Sequence, residues 1–243
     1  MKRRTDLRGE LGRRSCIRAL AVAVGSFAFF VMSAPVARAI VASDGTFNPS
    51  DWDVTIFYAP GNGGRIDVAD QVPTGGNPGA YREIGLTVYG TDYQHPYSGI
   101  WTFHRYIPFV YNPSVDGAIA LIDYDEDWIH LSGPGDGEAT GPALRQGGVV
   151  YFDGPFATPD FEWTHLGLTR LRATDFIRAD LSGAHPDFSS SGGPIEIGFY
   201  RANSASDGGY SEDCGIDNWT LNIHPEGPVP VQTTSWGRIK ALF

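Results

Sequence analysis

Hydrophobic and polar residues alternate with period two along much of this chain, most cleanly in two late segments, Gly192 to Tyr200 and Gly215 to Ile223. That period puts successive side chains on opposite faces of an extended backbone. The segments therefore predict two strands of a half-buried sheet, with the Ser/Asp/Gly-rich stretch between them as a loop. Tyr81 to Tyr89 repeats the pattern: Arg82, Ile84, Leu86 and Val88 fall on one side, Tyr81, Glu83, Thr87 and Tyr89 on the other, and the aliphatic side is the expected core face. Ile100 to Tyr111 is apolar on both faces, as a central strand is, with Pro108 marking a bulge or an edge. Further strands are predicted over Asp53 to Tyr58, Arg65 to Val72, Ala118 to Tyr124, Trp128 to Leu131 and Trp163 to Leu168. Gly147-Gly148 predicts a hairpin joining Pro142 to Gln146 with Val149 to Phe152. Ile40 to Trp52 reads as an opening segment of turns, Gly133 to Gly141 as a loop, and Leu171 to Phe176 as the one helical turn.

Short strands with no helices between them cannot form a parallel sheet, whose crossovers need helices. The fold class is therefore all-β, an antiparallel two-sheet β-sandwich, most simply a jelly roll of the galactose-binding or concanavalin-like kind. Composition agrees: among 243 residues, 31 Gly, 17 Pro and 13% aromatics favour many strands and tight turns. No period of 20 to 50 residues repeats, which argues against propellers and solenoids.

Residues 1–39 form a separate object. Arg13, Arg14 and Arg18 precede an apolar run from Ala19 to Met32 that ends at Ala37-Arg38-Ala39, so a secretory signal cut after Ala39 is expected. Arg13-Arg14-Ser15-Cys16-Ile17 is similar to a twin-arginine export signal, which leaves two export routes open. Residues 40–224 are then the sandwich and 225–243 a linker and tail. Removing the leader leaves 10 basic against 26 acidic residues, a net charge of −16. Nucleic acid is not an expected partner of such a surface, and no membrane span is expected once the leader is gone. The exported chain keeps a single cysteine, Cys214, which is either a buried thiol or paired with another molecule.

Gly76-Asn77-Pro78-Gly79-Ala80-Tyr81, Trp163 followed by Leu171 to Phe176, and Gly215-Ile216-Asp217-Asn218-Trp219 together resemble the layout of laminin B-type domains and of jelly-roll carbohydrate-binding modules of secreted bacterial proteins. The resemblance runs from Phe47 to Ile223. It implies a module that binds glycan or cell-surface material, secreted or held in the periplasm or envelope. It also implies a structural calcium between the opening segment and the last strand. Asp217 matches the Asp of that pattern, and Asn48 stands where a Glu is usual. The ending, Gln232 to Phe243, resembles the short Thr-Thr-Trp-Gly-x-Ile-Lys tails of some exported bacterial proteins, which suggests sorting.

For chemistry, the chain has no His-Glu-x-x-His, no Cys-x-x-Cys, no phosphate-cradling glycine loop and no Gly-x-Ser-x-Gly elbow, so no catalytic residue is assigned. Asp123, Asp125 and Asp127 alternate along one strand face, the pattern from which a jelly-roll glycosidase would draw its two acids. A solvated strand end is the competing reading. Sugar binding needs flat aromatics beside hydrogen-bonding groups. Tyr81, Glu83, Tyr89, His104, Tyr106, Glu196 and Tyr200, on the less aliphatic parity of their strands, are the candidate ligand residues. Three classes stay open: a glycan-binding module, a structural envelope protein and a glycosidase.

Overall fold

A computed structural model of the protein describes residues 39–134, 138–154, 160–180 and 182–227; nearly all of the expected signal sequence (1–39) and most of the expected linker and tail (225–243) lie outside them. The described strands are β1 (Ile40–Asp44), β2 (Trp52–Tyr58), β3 (Gly64–Gly76), β4 (Gly79–Val88), β5 (Ser98–Tyr111), β6 (Ile119–Ser132), β7 (Ala139–Gln146), β8 (Val149–Phe152), β9 (Thr164–Leu171), β10 (Ile177–Arg178), β11 (Ile195–Ala205) and β12 (Tyr210–Pro225). They form two antiparallel sheets, the sandwich expected from the sequence. The first has the order β3-β4-β12-β6-β9 with β1 also on β12, and the second the order β10-β8-β7-β11-β5-β2.

Strand β12 organises the first sheet. One of its edges pairs with β6 over nearly its whole length, while the other is shared by β4, opposite Tyr210–Ile216, and β1, opposite Trp219–Ile223. A bulge between the two stretches, with Asn218 at φ 51°, makes the change of partner. It also turns Trp219 into the core, where the ring is fully buried and lies 5.0 Å from Trp52 and 5.2 Å from Tyr106. Ile84, Leu86 and Val88 line this interior as their alternation predicts, and Arg82 is buried on the same side.

Several boundaries differ from the sequence reading. The opening segment contributes β1, because a neighbour was waiting on the free edge of β12. Strand β3 runs on through Pro73, which an edge strand tolerates because one side of its backbone has no ladder partner. The expected helical turn is present as a 3-10 turn at Ala173–Asp175, joined by another at Pro49–Asp51 and by a single α-helical turn, α1 (Pro113–Asp116). The hairpin at Gly147-Gly148 forms as expected, both residues at positive φ (58° and 81°) as its tight turn demands.

The acidic run is the larger correction. It is not a strand end: Ala118 to Tyr124 and Trp128 to Leu131 belong to one strand, β6. Tyr124, Glu126, Trp128 and His130 face the interior, while Asp123, Asp125 and Asp127 lie on the other side of the strand, Asp127 buried beneath Asn77 and Asn218, and all three are held by partners. His224 Nε2 is 2.8 Å from Asp123, and His165 lies 3.4 Å from Asp125 and 3.1 Å from Asp127.

His104, on β5, is fully buried, stacked on Phe199 at 4.5 Å, and accepts from Arg82 Nε at 3.4 Å. Burial, aided by the Arg82 and Arg201 charges, holds its pKa well below the usual imidazole value. The folded state thus refuses a proton that the unfolded chain takes up, so this contribution is complete above about pH 6.5 and is lost as pH falls toward the folded pKa. Urea unfolding at about pH 7.5 and about pH 5.5 should show the drop, and His104→Gln should remove its share of the slope.

Candidate functional site

The outward face of the second sheet is built from alternate residues of its strands. Trp101 and Phe103 on β5, Tyr200 and Ala202 on β11, Ala139 and Ala143 on β7, and Val150 and Phe152 on β8 form an apolar cluster separate from the interior core. Strands β2 and β8 are four spacings apart in the sheet, roughly 19 Å if it were flat. Yet the rings of Phe57 on β2 and Phe152 on β8 are 5.8 Å apart. The sheet is therefore curled and this face is concave. Small residues on the middle strands keep the floor low, and at Gly198 a Cβ would lie 1.9 Å from the His104 carbonyl oxygen.

Beside the aromatics a charge ladder crosses four strands. Arg145 on β7 bonds Glu196 on β11 through Nε, Arg105 on β5 reaches the other Glu196 oxygen at 2.5 Å, and Arg105 Nη2 meets Asp53 on β2 at 2.9 Å. The Arg145 hydrogen bond, with Arg105, holds the Glu196 carboxyl below its usual range, so the ladder is charged at neutral pH. Arg145 also lies over the Phe103 ring at 5.4 Å. A cleft of about 430 Å³ opens here, bounded by Thr55–Tyr58 of β2 on one side and by Arg145, Val149, Val150 and Arg178–Asp180 on the other. Tyr58, edge-on to Trp101 at 5.3 Å and 36% exposed, is an aromatic that a ligand can reach. The Tyr200 hydroxyl is buried below this face without a hydrogen-bond partner.

The residues singled out in the sequence do not form one site. Glu196 and Tyr200 belong to the concave face. Tyr81 and Glu83 lie on the outward face of the other sheet, where Tyr81 meets Trp163 edge-on at 5.6 Å, and Tyr89, 40% exposed, follows the end of β4. His104 and Tyr106 point into the core, against Phe199 and against Trp52 and Trp219. Their parity misled because β5 has a filled layer on each side, so the less aliphatic positions are as buried as the others. Reasoning from sequence missed Tyr58, Arg145, Arg105 and Asp53. Arg145 and Glu196, directly paired across β7 and β11, are opposite charges, a signal that becomes readable once the register is known.

At the calcium expectation, Asp217 accepts the backbone N–H of Asn77 at 2.5 Å and of Asn218 at 2.6 Å, one on each oxygen. Asn48 turns its amide to Thr46 and Asp51. Cys214 is a buried free thiol, and burial pushes its pKa well above the usual value. The described residues contain no helix long and apolar enough to cross a membrane.

No family model matches this chain, and no curated protein matches it. Among solved structures it is similar to the family 11 carbohydrate-binding module of a cellulosomal cellulase of Clostridium thermocellum, at 16% identity over 77% of this chain and 98% of that one, with a TM-score of 0.41. It is also similar to a family 30 carbohydrate-binding module, at 10% identity over 76% and 99% of the two chains with a TM-score of 0.43. A third is the xylan-binding domain from Paenibacillus barcinonensis, at 10% identity over 80% and 100% with a TM-score of 0.38.

Proposed function

We propose that the protein is a secreted, non-catalytic module that binds glycan along the concave face of its second sheet. The observation that carries this reading is the 430 Å³ cleft in which a reachable aromatic, Tyr58, stands near the fixed ion-pair ladder led by Arg145. An aromatic offers a flat apolar surface for a sugar ring, and fixed charged groups offer donors and acceptors for its hydroxyls. A second cleft, of about 510 Å³, is lined by Tyr97, Pro134, Ser204–Gly208 and Tyr210. Among the described residues it lacks a comparable array of charged side chains, and it is the weaker candidate.

Calcium at Asn48 and Asp217 forms no part of this reading, which rests on the cleft alone; each Asp217 oxygen accepts one backbone N–H. The outward carboxylates of β6 are likewise not assigned catalytic work, because histidine and asparagine side chains occupy them. Incubation of the purified protein with any polysaccharide it retains should release no reducing sugar. Release that disappears in Asp125→Asn would establish the glycosidase instead. Failure to retain any polysaccharide would favour the structural envelope protein.

A further inference from the structure

We infer that His130, Glu138 and Glu212 form a buried binding site for one divalent transition-metal ion of the zinc class, which staples one end of the sandwich. The residues come from β6, from the position just before β7, and from β12, so an ion there would tie the first sheet to the start of a strand in the second. One ligand atom from each lies within 4.8 Å of the other two, and all three residues are buried.

Two further observations point to a missing cation. Glu138 is 2% exposed, yet among the described residues neither carboxylate oxygen has a hydrogen-bond partner of ordinary geometry, its close polar neighbours being the Cys214 thiol and Glu212. Its nearest guanidinium, Arg201, is already bonded to Glu126, and its Nε stands 3.9 Å from Glu138 Oε1 without hydrogen-bonding it. A buried carboxylate left so poorly compensated is costly unless a cation or a proton joins it. The second observation is the histidine. His130 Nε2 lies 3.2 Å from the Gly133 carbonyl oxygen, an acceptor, so this nitrogen carries a proton and Nδ1 is the ring position left for a metal ion. Nδ1 is 3.2 Å from Glu212 Oε1, and the angle there is not that of a hydrogen bond. Carbonyl-anchored imidazole with its other nitrogen turned to carboxylates is how metal-binding histidines are oriented. One imidazole with two carboxylates suits zinc-class ions better than calcium or magnesium, which take oxygen ligands. The Phe161 ring, edge-on to His130 at 4.7 Å, covers the imidazole.

The test uses the secreted chain, stripped with EDTA and titrated with Zn²⁺ and separately with Ca²⁺ by calorimetry and thermal unfolding. One equivalent of Zn²⁺ should bind and raise the Tm, with Ca²⁺ doing neither. Glu138→Gln and His130→Gln should each weaken Zn²⁺ binding at least tenfold, and His165→Ala, at a surface histidine, should not. Should the buried-site variants fail to fold, zinc-edge X-ray absorption of the wild type decides, with a single imidazole among oxygen ligands expected. No uptake by the wild type, uptake that His165→Ala abolishes, or a spectrum of several imidazoles would overturn the proposal. Protection of the fold by a proton shared between the carboxylates would then be the explanation.

Discussion

Arg201→Met is expected to destabilise the fold by about 3–5 kcal/mol, the effect of removing one partner of a buried ion pair. Arg201 is fully buried on β11 and faces across the sandwich to Glu126 on β6, with Nη1 3.3 Å from Oε2. Glu126 is itself fully buried, and accepts from Tyr124 at 2.5 Å and from Thr140 at 2.6 Å. Deleting the guanidinium leaves these neutral donors but strands the charge away from water. The cost arises from the stranded carboxylate, not from the attraction of the pair. Combining Glu126→Gln with Arg201→Met should therefore cost clearly less than the two single changes added together. Urea unfolding of the three variants measures this; additive losses would show that the two groups do not act as a unit.

Trp219→Ala should cost a similar amount, about 3–5 kcal/mol, for a different reason. Its ring, from the first sheet, is fully buried where the two sheets meet, with Trp52 at 5.0 Å and Tyr106 at 5.2 Å, and Trp52 in turn touches Phe199, which like Trp52 and Tyr106 belongs to the second sheet, at 5.3 Å. Truncation removes the centre of an aromatic cluster whose large rings cannot collapse to refill it. Trp219→Phe should be much milder, because the indole N–H has no hydrogen-bond partner to lose. Thermal unfolding of both variants tests this; a Tm for Trp219→Ala close to that of the wild type would contradict it.

Alternation alone made the sandwich legible. Ile84, Leu86 and Val88 sit in the core as their spacing predicts, and the two glycines at 147 and 148 turn a hairpin where only positive φ fits. What the pattern hid is the polar interior. Glu126, His130, Glu138 and Arg201 occupy core positions, and a charged residue in a period-two pattern reads as surface. That is why β6 looked like two pieces with a solvated end. The site was hidden for a related reason. Glu196 carries the parity of this face, but its partners Arg145 and Arg105, and Asp53 beyond Arg105, come from β7, β5 and β2, and only strand order and register bring them together. His104 shows the reverse error, a polar residue on the right parity that the second apolar layer had already buried.

The claim that the concave face binds glycan is tested most directly by affinity electrophoresis of the purified protein in gels carrying cellulose derivatives, xylan, soluble chitin derivatives or alginate. Tyr58→Ala and Arg145→Ala are suitable variants because both side chains lie at the cleft and neither is fully buried. Each is expected to weaken retention by a retained polysaccharide at least about tenfold, equivalent to about 1.4 kcal/mol, without changing the circular dichroism of the fold. Tyr81→Ala, on the outward face of the other sheet, should leave retention as in the wild type. Retention that survives both cleft variants, or that disappears with Tyr81→Ala alone, would contradict the assignment.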